Sequence, residues 1–255
     1  KKFFITLKNM IDQNKNGEET YGMKILGVHD GHNASATLVI DGKLVASKAE
    51  ERLSRVKHHY GCPMKAIKKV LEIGGVSASD LDGVAMATPT LPPAYFFTSR
   101  NSKFSIKDYW KEQRDFWYPK FYEGKNPKYL DVFSHHIDDE NFIYNKSLIK
   151  NETDHKGMWK ARCHHLANFL GIDEEIISVH DHHDCHAYYG YMSCETRYEK
   201  PLLVYTMDGG GDGSNGTVSI GKPGQQLDTI SRSSNCNIGR MYRYATLLLG
   251  MRPAD

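Results

Sequence analysis

The 255-residue sequence lacks three features that would point to a specialised class of protein. No apolar run approaches the roughly 18 residues that a membrane-spanning helix needs, so no membrane partner is expected. The five cysteines form no Cys-x-x-Cys pair, which favours free thiols in a reducing compartment and a cytoplasmic location. The formal net charge is only +2, too small to indicate a nucleic-acid partner.

The first part of the chain has a regular order of predicted elements. They are, in order, strands over 24–28, 35–40 and 43–49, a helix over 63–74, a strand over 83–87, a helix over 159–170 and a strand over 176–179. Asp41-Gly42 is a two-residue hairpin signal between the second and third strands, and Gly74-Gly75 ends the first helix. A helix that begins near His182 completes the order βββαβαβα.

The order of elements begins again at Leu202. The predicted elements are a strand over 202–208, a glycine-rich turn over 209–213, strands over 216–220 and 227–231, and a helix over 238–249. Both runs open with an apolar strand and a polar turn. The sequence therefore predicts an α/β protein of the actin-like ATPase (ribonuclease H-like) type, a duplicated βββαβαβα fold whose second copy is truncated. The predicted domains are an extension over 1–22, a first subdomain over 23–198 and the start of a second subdomain over 199–255.

The region over 89–154 interrupts this pattern. It is rich in aromatic residues, interleaved with lysine, aspartate and asparagine. Aromatics among lysines are compatible with a nucleic-acid surface. The small net charge favours an inserted lobe with its own small core, or a lid over a substrate site.

A candidate metal site lies in the stretch 179–208. His182 and His186 are four residues apart, which puts both imidazoles on one face of a helix, and Asp208 ends an apolar strand. Two imidazoles and a carboxylate suit a divalent metal. With 13 histidines and several His-His doublets in the chain, a surface or capping role stays open. The phosphate-binding backbone groups expected beside the site belong to Gly209, Gly210 and Gly211.

Several motifs also resemble a known family. They are Gly31-His32-Asn33-Ala34-Ser35-Ala36, the segment over 49–58, His182-His183-Asp184-Cys185-His186-Ala187 and Gly239-Arg240-Met241-Tyr242. Together they resemble the carbamoyltransferases of the nodulation and antibiotic-tailoring type, over most of residues 23–85 and 176–255. The resemblance implies a Kae1-like actin-type domain, followed in the full-length protein by a YrdC-like domain C-terminal to this stretch.

The resemblance also implies a reaction. The YrdC-like part makes carbamoyl-adenylate from carbamoyl phosphate and ATP, and the Kae1-like part transfers the carbamoyl group to a hydroxyl of a small-molecule acceptor. It implies that His182, His186 and Asp208 bind an iron-type divalent ion, although Zn²⁺ also suits these ligands. A further aspartate ligand is expected beyond Asp255, and this fragment alone is expected to be inactive.

Three further residues take roles from the resemblance. His32 matches the catalytic histidine, Asp30 falls near the acceptor-binding carboxylate, and Lys57 matches a nucleotide-contacting lysine. Asn33 stands where many relatives have aspartate. From the residues alone, His32 could be a loop histidine bonded to backbone, Asp30 a turn residue, and Lys57 part of a solvated basic face.

Other functions remain open at this point. A Kae1-type tRNA threonylcarbamoyl transferase keeps the fold but predicts an RNA-binding face and partner subunits. A sugar or acetate kinase keeps the fold but does not need the histidine pair, and a non-catalytic nucleotide-binding fragment needs no catalytic group. A metallopeptidase is disfavoured because Asp184 is not the glutamate of a His-Glu-x-x-His helix. A homodimer is compatible with the sequence.

Overall fold

The computed structural model describes residues 22–253, so the extension predicted over 1–22 lies outside the described residues except for Gly22. These residues form a mixed α/β structure with a five-stranded sheet and a three-stranded sheet. The strands are β1 (Lys24–His29), β2 (Ser35–Ile40), β3 (Lys43–Ala49), β4 (Gly83–Ala87), β5 (Ile177–His180), β6 (Leu202–Gly211), β7 (Ser214–Gly221) and β8 (Asp228–Ser233).

Most of the α-helices are short. They are α1 (Glu51–Ser54), α2 (Met64–Gly74), α3 (Pro93–Phe97), α4 (Arg100–Lys103), α5 (Ile106–Lys111), α6 (Tyr118–Tyr122), α7 (Tyr129–Val132), α8 (His155–Leu170), α9 (His182–Met192) and α10 (Ile238–Leu248). A π-helical stretch, Glu112–Trp117, joins α5 to α6. Between residues 22 and 253, no helix has both the length and the apolar content that a membrane crossing requires.

The five-stranded sheet has the order β3-β2-β1-β4-β5. β1, β2 and β3 are antiparallel neighbours, whereas β1, β4 and β5 run parallel. Asp41 and Gly42 form the predicted hairpin turn, with φ of 52° and 71°. Because parallel strands end at the same edge of a sheet, the loop after β1, Thr88 after β4 and the start of α9 after β5 are brought together.

The main core lies between this sheet and the helices α2 and α8. Its most buried members include Leu26, Leu38, Ile67, Val70, Val84, Met86, Met158 and Leu166. The predicted bounds of β2, β3 and β4 are confirmed, and α2 begins one residue later than predicted, at Met64. The helix predicted from Trp159 begins earlier, at His155, because the Asp154 side chain accepts a hydrogen bond from the Gly157 N–H.

The inserted region over 89–154 folds into short helices around a second apolar cluster. That cluster contains Ala94, Phe104, Tyr109, Phe116, Tyr129 and Phe133, with Leu247 from α10. A buried ion pair joins Arg100 Nε and Nη2 to Glu112 at 2.6 Å each, and the Tyr129 hydroxyl donates to Glu112. The lobe therefore has a small apolar core, to which α10 contributes Leu247. The bounds of its helices could not be predicted from periodicity because none of them is long enough to show a repeat.

The second sheet is an antiparallel meander, β6-β7-β8. β6 continues through Gly211, so the turn predicted over 209–213 is confined to Asp212 and Gly213, with φ of 49° and 79°. The pairing of β6 with β7 shifts register between Met207 and Gly211, and Gly210 has φ of 140° there. The glycines thus form a bulged strand end next to α9 rather than an open loop.

Candidate active site

Helix α9 begins at His182 because Asp181 caps it. The Asp181 carboxylate accepts hydrogen bonds from the N–H groups of His183 and Asp184, at 2.9 and 3.0 Å. Residues four apart on a helix share a face, so the start of α9 at His182 aims the His182 and His186 rings toward the end of β6.

Three side chains converge at this point. His182 Nε2 lies 2.6 Å from Asp208 Oδ2 and 3.1 Å from His186 Nε2, and His186 Nε2 lies 4.0 Å from Asp208 Oδ2. With metal–ligand bonds of about 2.0–2.1 Å, tetrahedral geometry separates neighbouring ligand atoms by about 3.3 Å. The observed spacings bracket that value, so the predicted triad fits a divalent metal.

The charge states of the triad also suit a metal. The pKa of Asp208 lies well below its usual value because of the hydrogen bond with His182, while burial opposes the shift and a bond from the Gly209 N–H adds to it. Burial and the neighbouring His182 lower the pKa of His186, and Asp208 partly offsets them. Near neutral pH this leaves an anionic carboxylate and a neutral imidazole, the forms that bind a metal ion.

Thr88 contacts the Nδ1 side of the His182 ring. This residue was not identified from the sequence. Its Oγ1 lies 3.3 Å from His182 Nδ1, a contact that orients the ring so that Nε2 faces Asp208 and His186. Thr88 is buried and has φ of 60°, an uncommon conformation for a β-branched residue. No local pattern in the sequence marks it.

Asp212, at the tip of the β6–β7 hairpin, forms hydrogen bonds to the start of α9 and to Thr90. Its Oδ2 accepts from the His182 N–H at 2.8 Å, and its Oδ1 accepts from the N–H and hydroxyl of Thr90. The Asp212-Gly213 pair is a turn signal in the sequence, but the contact with α9 is a tertiary one. Asp212 therefore fixes how β6 and β7 meet the helix that carries two of the triad residues.

His32 lies on the loop after β1 and is exposed to a cavity. The loop is tied to the segment after α1 by the Asn33 Oδ1 to His58 Nδ1 contact at 2.8 Å and by a backbone bridge between His32 and Tyr60. Burial at the cavity wall makes the largest contribution to lowering the pKa of His32, and the neighbouring His29 and Arg100 lower it further. The imidazole is therefore neutral near pH 7.

A cavity of about 670 Å³ joins the loop of His32 to the triad. It is lined by His32 and Asp208, by Gly209, Gly210 and Gly211, by lobe residues that include Trp117 and Phe121, and by Arg240 and Arg243 of α10. Asp208 and His182 are both close enough to affect the pKa of His32, in opposite directions. The predicted histidine base, one predicted metal ligand and the predicted glycines thus face one space.

Asp30 is placed differently from these residues. It is only 1% exposed and is absent from the cavity wall. Its carboxylate accepts hydrogen bonds from Arg162 Nε at 2.9 and 3.1 Å, from Arg162 Nη2, and from the Tyr144 hydroxyl at 3.2 Å. Burial acts to raise the pKa of Asp30, but the charge and hydrogen bonds of Arg162 outweigh it, and the pKa lies below its usual value.

Arg162 connects the loop after β1 to the end of β4. Besides Asp30, its guanidinium donates to the carbonyl oxygens of Thr88 at 2.7 Å and of Ala87 at 3.0 Å. A network of hydrogen bonds therefore runs from Asp30 through Arg162 and Thr88 to His182. A single arginine within a helix gives no sequence signal for such a role, and it was not identified from the sequence.

Lys57 also lies apart from the cavity. It is exposed on the segment after α1 and is not among the residues that line the wall. The cationic side chains at the wall are Arg100, Arg240 and Arg243.

Comparison with known proteins decides the family. Residues 24–255 match the family model described as carbamoyltransferase N-terminus. The chain belongs to this carbamoyltransferase family. The nodulation protein NolNO of Sinorhizobium fredii is 24% identical over 221 residues, which cover 86% of this chain and 25% of that protein. The uncharacterized protein MJ1051 of Methanocaldococcus jannaschii is 24% identical over 232 residues, which cover 91% of this chain and 31% of that protein.

This carbamoyltransferase chain therefore spans about a quarter to a third of the curated relatives that it matches over most of its length. The match to the family model extends through the lobe over 89–154, which lies outside the motifs singled out in the sequence. The site described above thus belongs to the N-terminal part of the family.

Proposed function

We propose that this chain is the acceptor-side part of an O-carbamoyltransferase. The reaction moves a carbamoyl group from carbamoyl-adenylate, made from carbamoyl phosphate and ATP, to a hydroxyl of a small-molecule acceptor. A YrdC-like domain C-terminal to this stretch supplies the adenylate. The observation that supports the proposal most is that His32, Asp208 and the Gly209–Gly211 strand end line one cavity beside the His182/His186 pair.

The transfer requires a base for the acceptor. A bond forms between the acceptor oxygen and the carbamoyl carbon, the bond from that carbon to the phosphate oxygen breaks, and AMP leaves. The acceptor hydroxyl loses its proton as it attacks, and His32 takes that proton on its neutral imidazole. The exposure of His32 to the cavity that Asp208 also lines fits this role.

The triad is proposed to hold the metal. His182 and His186 offer imidazole nitrogens and Asp208 an anionic oxygen, a donor set that suits Fe²⁺ and also Zn²⁺. Such an ion, when bound, supplies positive charge to the oxygens that become more negative during transfer. Thr88 keeps the His182 ring turned so that Nε2 remains available.

The nucleotide phosphate is proposed to lie against the strand end Gly209–Gly211. Arg240 and Arg243 stand on the same helix, three residues apart, and both line the cavity there. Arg240 Nε donates to the Gly209 carbonyl at 3.3 Å, which keeps its guanidinium beside the glycines. Guanidinium groups are strong phosphate partners, so these arginines are better placed for the phosphate than Lys57.

Asp30 is proposed to act on the acceptor through the loop that carries His32. Both of its oxygens are engaged by Arg162 inside the protein, which fixes the first turn of that loop. The carboxylate therefore contributes by orienting His32, and a direct bond to the acceptor would require Arg162 to release it.

The finer fold assignment, a duplicated actin-like fold, remains part of this proposal. The β6-β7-β8 meander repeats the antiparallel order of β1, β2 and β3. On β6, Leu203, Tyr205 and Met207 are each more than half exposed on one face of the strand. A strand presents such an apolar face when further chain packs against it to complete a larger sheet or layer.

The experiment is a transfer assay on the full-length protein that contains this chain. Labelled carbamoyl phosphate, ATP and a panel of polyhydroxylated acceptors are incubated with the wild type and with His32→Asn. We expect carbamoylated acceptor from the wild type and a loss of about 10²–10⁴-fold in His32→Asn, with metal content unchanged. His164→Asn, a change at an exposed histidine paired with Glu174, is the control. Transfer at the control rate by His32→Asn would contradict the base assignment, and no carbamoylated product on any acceptor would contradict the function.

A further inference from the structure

A second group of metal-binding side chains lies in the lobe, away from the cavity. Asp108 stands on α5, and His135 and His136 stand on the 3₁₀ turn Ser134–His136. We call these three residues the lobe cluster. One ligand atom from each residue lies within 4.8 Å of the other two.

The spacing within the lobe cluster is that of metal ligands. His135 Nε2 lies 3.4 Å from Asp108 Oδ1, and His136 Nε2 lies 3.2 Å from Asp108 Oδ2. The two histidines face different oxygens of the carboxylate, and each distance is close to the roughly 3.3 Å between ligand atoms around a tetrahedral ion with bonds of about 2.0–2.1 Å. They are longer than the usual charge-assisted hydrogen bond of about 2.7–2.9 Å.

The Nε2 atom of His136 gives the strongest indication of a bound ion in the lobe cluster. Its Nε2 is buried and has no hydrogen-bond partner within the described part of the chain, although Asp108 Oδ2 is 3.2 Å away. A buried nitrogen without a partner is costly, and such cases call for an explanation such as an ion. Both rings lean toward the same carboxylate, so an ion between the three groups would satisfy this nitrogen.

The three residues are held by their surroundings. Asp108 Oδ2 accepts hydrogen bonds from the Ser105 N–H at 2.8 Å and the Ser105 hydroxyl at 2.6 Å. The His136 ring stacks on Phe104, with centroids 5.0 Å apart. Tyr109, next to Asp108, and Phe133, at the N-cap of the turn Ser134–His136, are buried in the lobe core and anchor both elements. Outer contacts of this kind orient metal ligands.

Asp108 is ionised over the useful pH range. Burial acts to raise its pKa, but the two bonds from Ser105 and the contact with His136 outweigh it, and the pKa falls to about 2. A carboxylate and two imidazoles form a borderline donor set, which suits zinc and its neighbours better than magnesium or calcium.

We propose that the lobe cluster binds a zinc-type divalent cation through Asp108, His135 and His136, with water completing the coordination. The ion ties the turn Ser134–His136 to α5. The π-helical stretch that continues α5 carries Gln113 and Trp117, which line the cavity. The ion is therefore structural, and it stabilises the lobe wall of the cavity without taking part in transfer. This inference does not depend on the proposed function.

The test is a titration of the purified protein with Zn²⁺ alone, in competition with a chromophoric chelator. Because the triad also binds metal in this account, the titration is carried out in an Asp208→Asn background, which removes its carboxylate ligand. We expect one Zn²⁺ to remain bound to the lobe cluster there. Adding His135→Ala should weaken that binding by more than the roughly 10–100-fold that loss of an outer contact costs.

Two further variants make the result decisive. His164→Ala is the matched control because its side chain is 47% exposed, against 52% for His135, and it also pairs with a carboxylate. It should bind Zn²⁺ as the background does. Asp108→Asn keeps an oxygen acceptor for Ser105, so it should stay folded by circular dichroism and still lose Zn²⁺ affinity. Equal affinity in the His135→Ala, Asp108→Asn and His164→Ala proteins would overturn the proposal and leave the cluster as an ion pair.

Discussion

Replacing Gly211 by alanine gives the most specific test of how β6 meets α9. A Cβ atom at Gly211 would lie 2.4 Å from His182 Cγ, 2.5 Å from Cδ2 and 2.8 Å from Cβ. Ordinary van der Waals contact begins at about 3.5 Å between carbon atoms, so the His182 ring must move by about 1 Å. Metal sites tolerate displacements of only a few tenths of an ångström in their ligands.

Gly209 offers a matched control on the same strand end. A Cβ atom there would have nothing within 4 Å. Gly209→Ala and Gly211→Ala therefore make the same chemical change two positions apart, and only one of them disturbs a metal ligand. Both also remove backbone freedom from the unfolded chain, so that contribution is shared.

The assay is a metal titration of both variants and of the protein with neither glycine changed, all in an Asp108→Asn background that removes the carboxylate of the lobe cluster, with thermal unfolding as a check on folding. We expect Gly211→Ala to weaken metal binding at the triad by at least about tenfold, or about 1.4 kcal/mol. Gly209→Ala should stay within about twofold of the protein with neither glycine changed. Equal affinities in the two variants would refute the conclusion that close packing of the β6 end on His182 positions the triad.

Two other predictions concern the network behind the triad. Thr88→Val removes the hydroxyl that contacts His182 Nδ1 but keeps the shape of the side chain. A hydrogen bond of about 0.5–1.5 kcal/mol corresponds to a loss of about 2- to 10-fold in metal affinity. Thr88→Ser, which keeps the hydroxyl, should restore that affinity. Equal affinity in the Val and Ser variants would show that the contact does not orient the ring. Because the folded-state pKa of Asp30 lies below its usual value, its stabilising effect is present above about pH 4 and is lost as the pH falls through the folded-state value. The difference in urea unfolding free energy between wild type and Asp30→Asn should thus be a few kcal/mol at pH 7 and shrink near pH 2; a constant difference would contradict the assignment of this stabilisation to the Asp30–Arg162 ion pair.

The sequence predicted the framework of the first sheet well because its signals are local. Asp41-Gly42 requires the backbone conformation of a tight hairpin, and Pro63 with Gly74-Gly75 marks the two ends of one helix. The alternation of apolar and polar residues in short strands is also local. These features do not depend on which distant residues pack against them.

The triad could be predicted for a different reason. A spacing of four residues puts two side chains on one face of a helix, and the apolar run before Asp208 marks it as part of a strand, although β6 continues to Gly211. What joins these residues could not be predicted. Thr88 acts through a positive φ and Arg162 through bonds to Asp30 and two carbonyl groups, and neither contact leaves a pattern in the sequence.

The glycines after Asp208 were only partly understood from the sequence. Their composition indicated an open loop for a phosphate, whereas the structure continues β6 through Gly211. Gly211 lacks a side chain because the His182 ring occupies that space. The same composition serves close packing and backbone access equally well, and only the tertiary contact distinguishes them.

The most direct measurement is a crystal structure of the metal-loaded protein, with anomalous diffraction data collected on both sides of the metal absorption edge. At the triad the account predicts a strong anomalous peak about 2.0–2.2 Å from His182 Nε2, His186 Nε2 and an Asp208 oxygen, within the cavity that His32 faces. An absence of anomalous density between these three residues at saturating metal would contradict it.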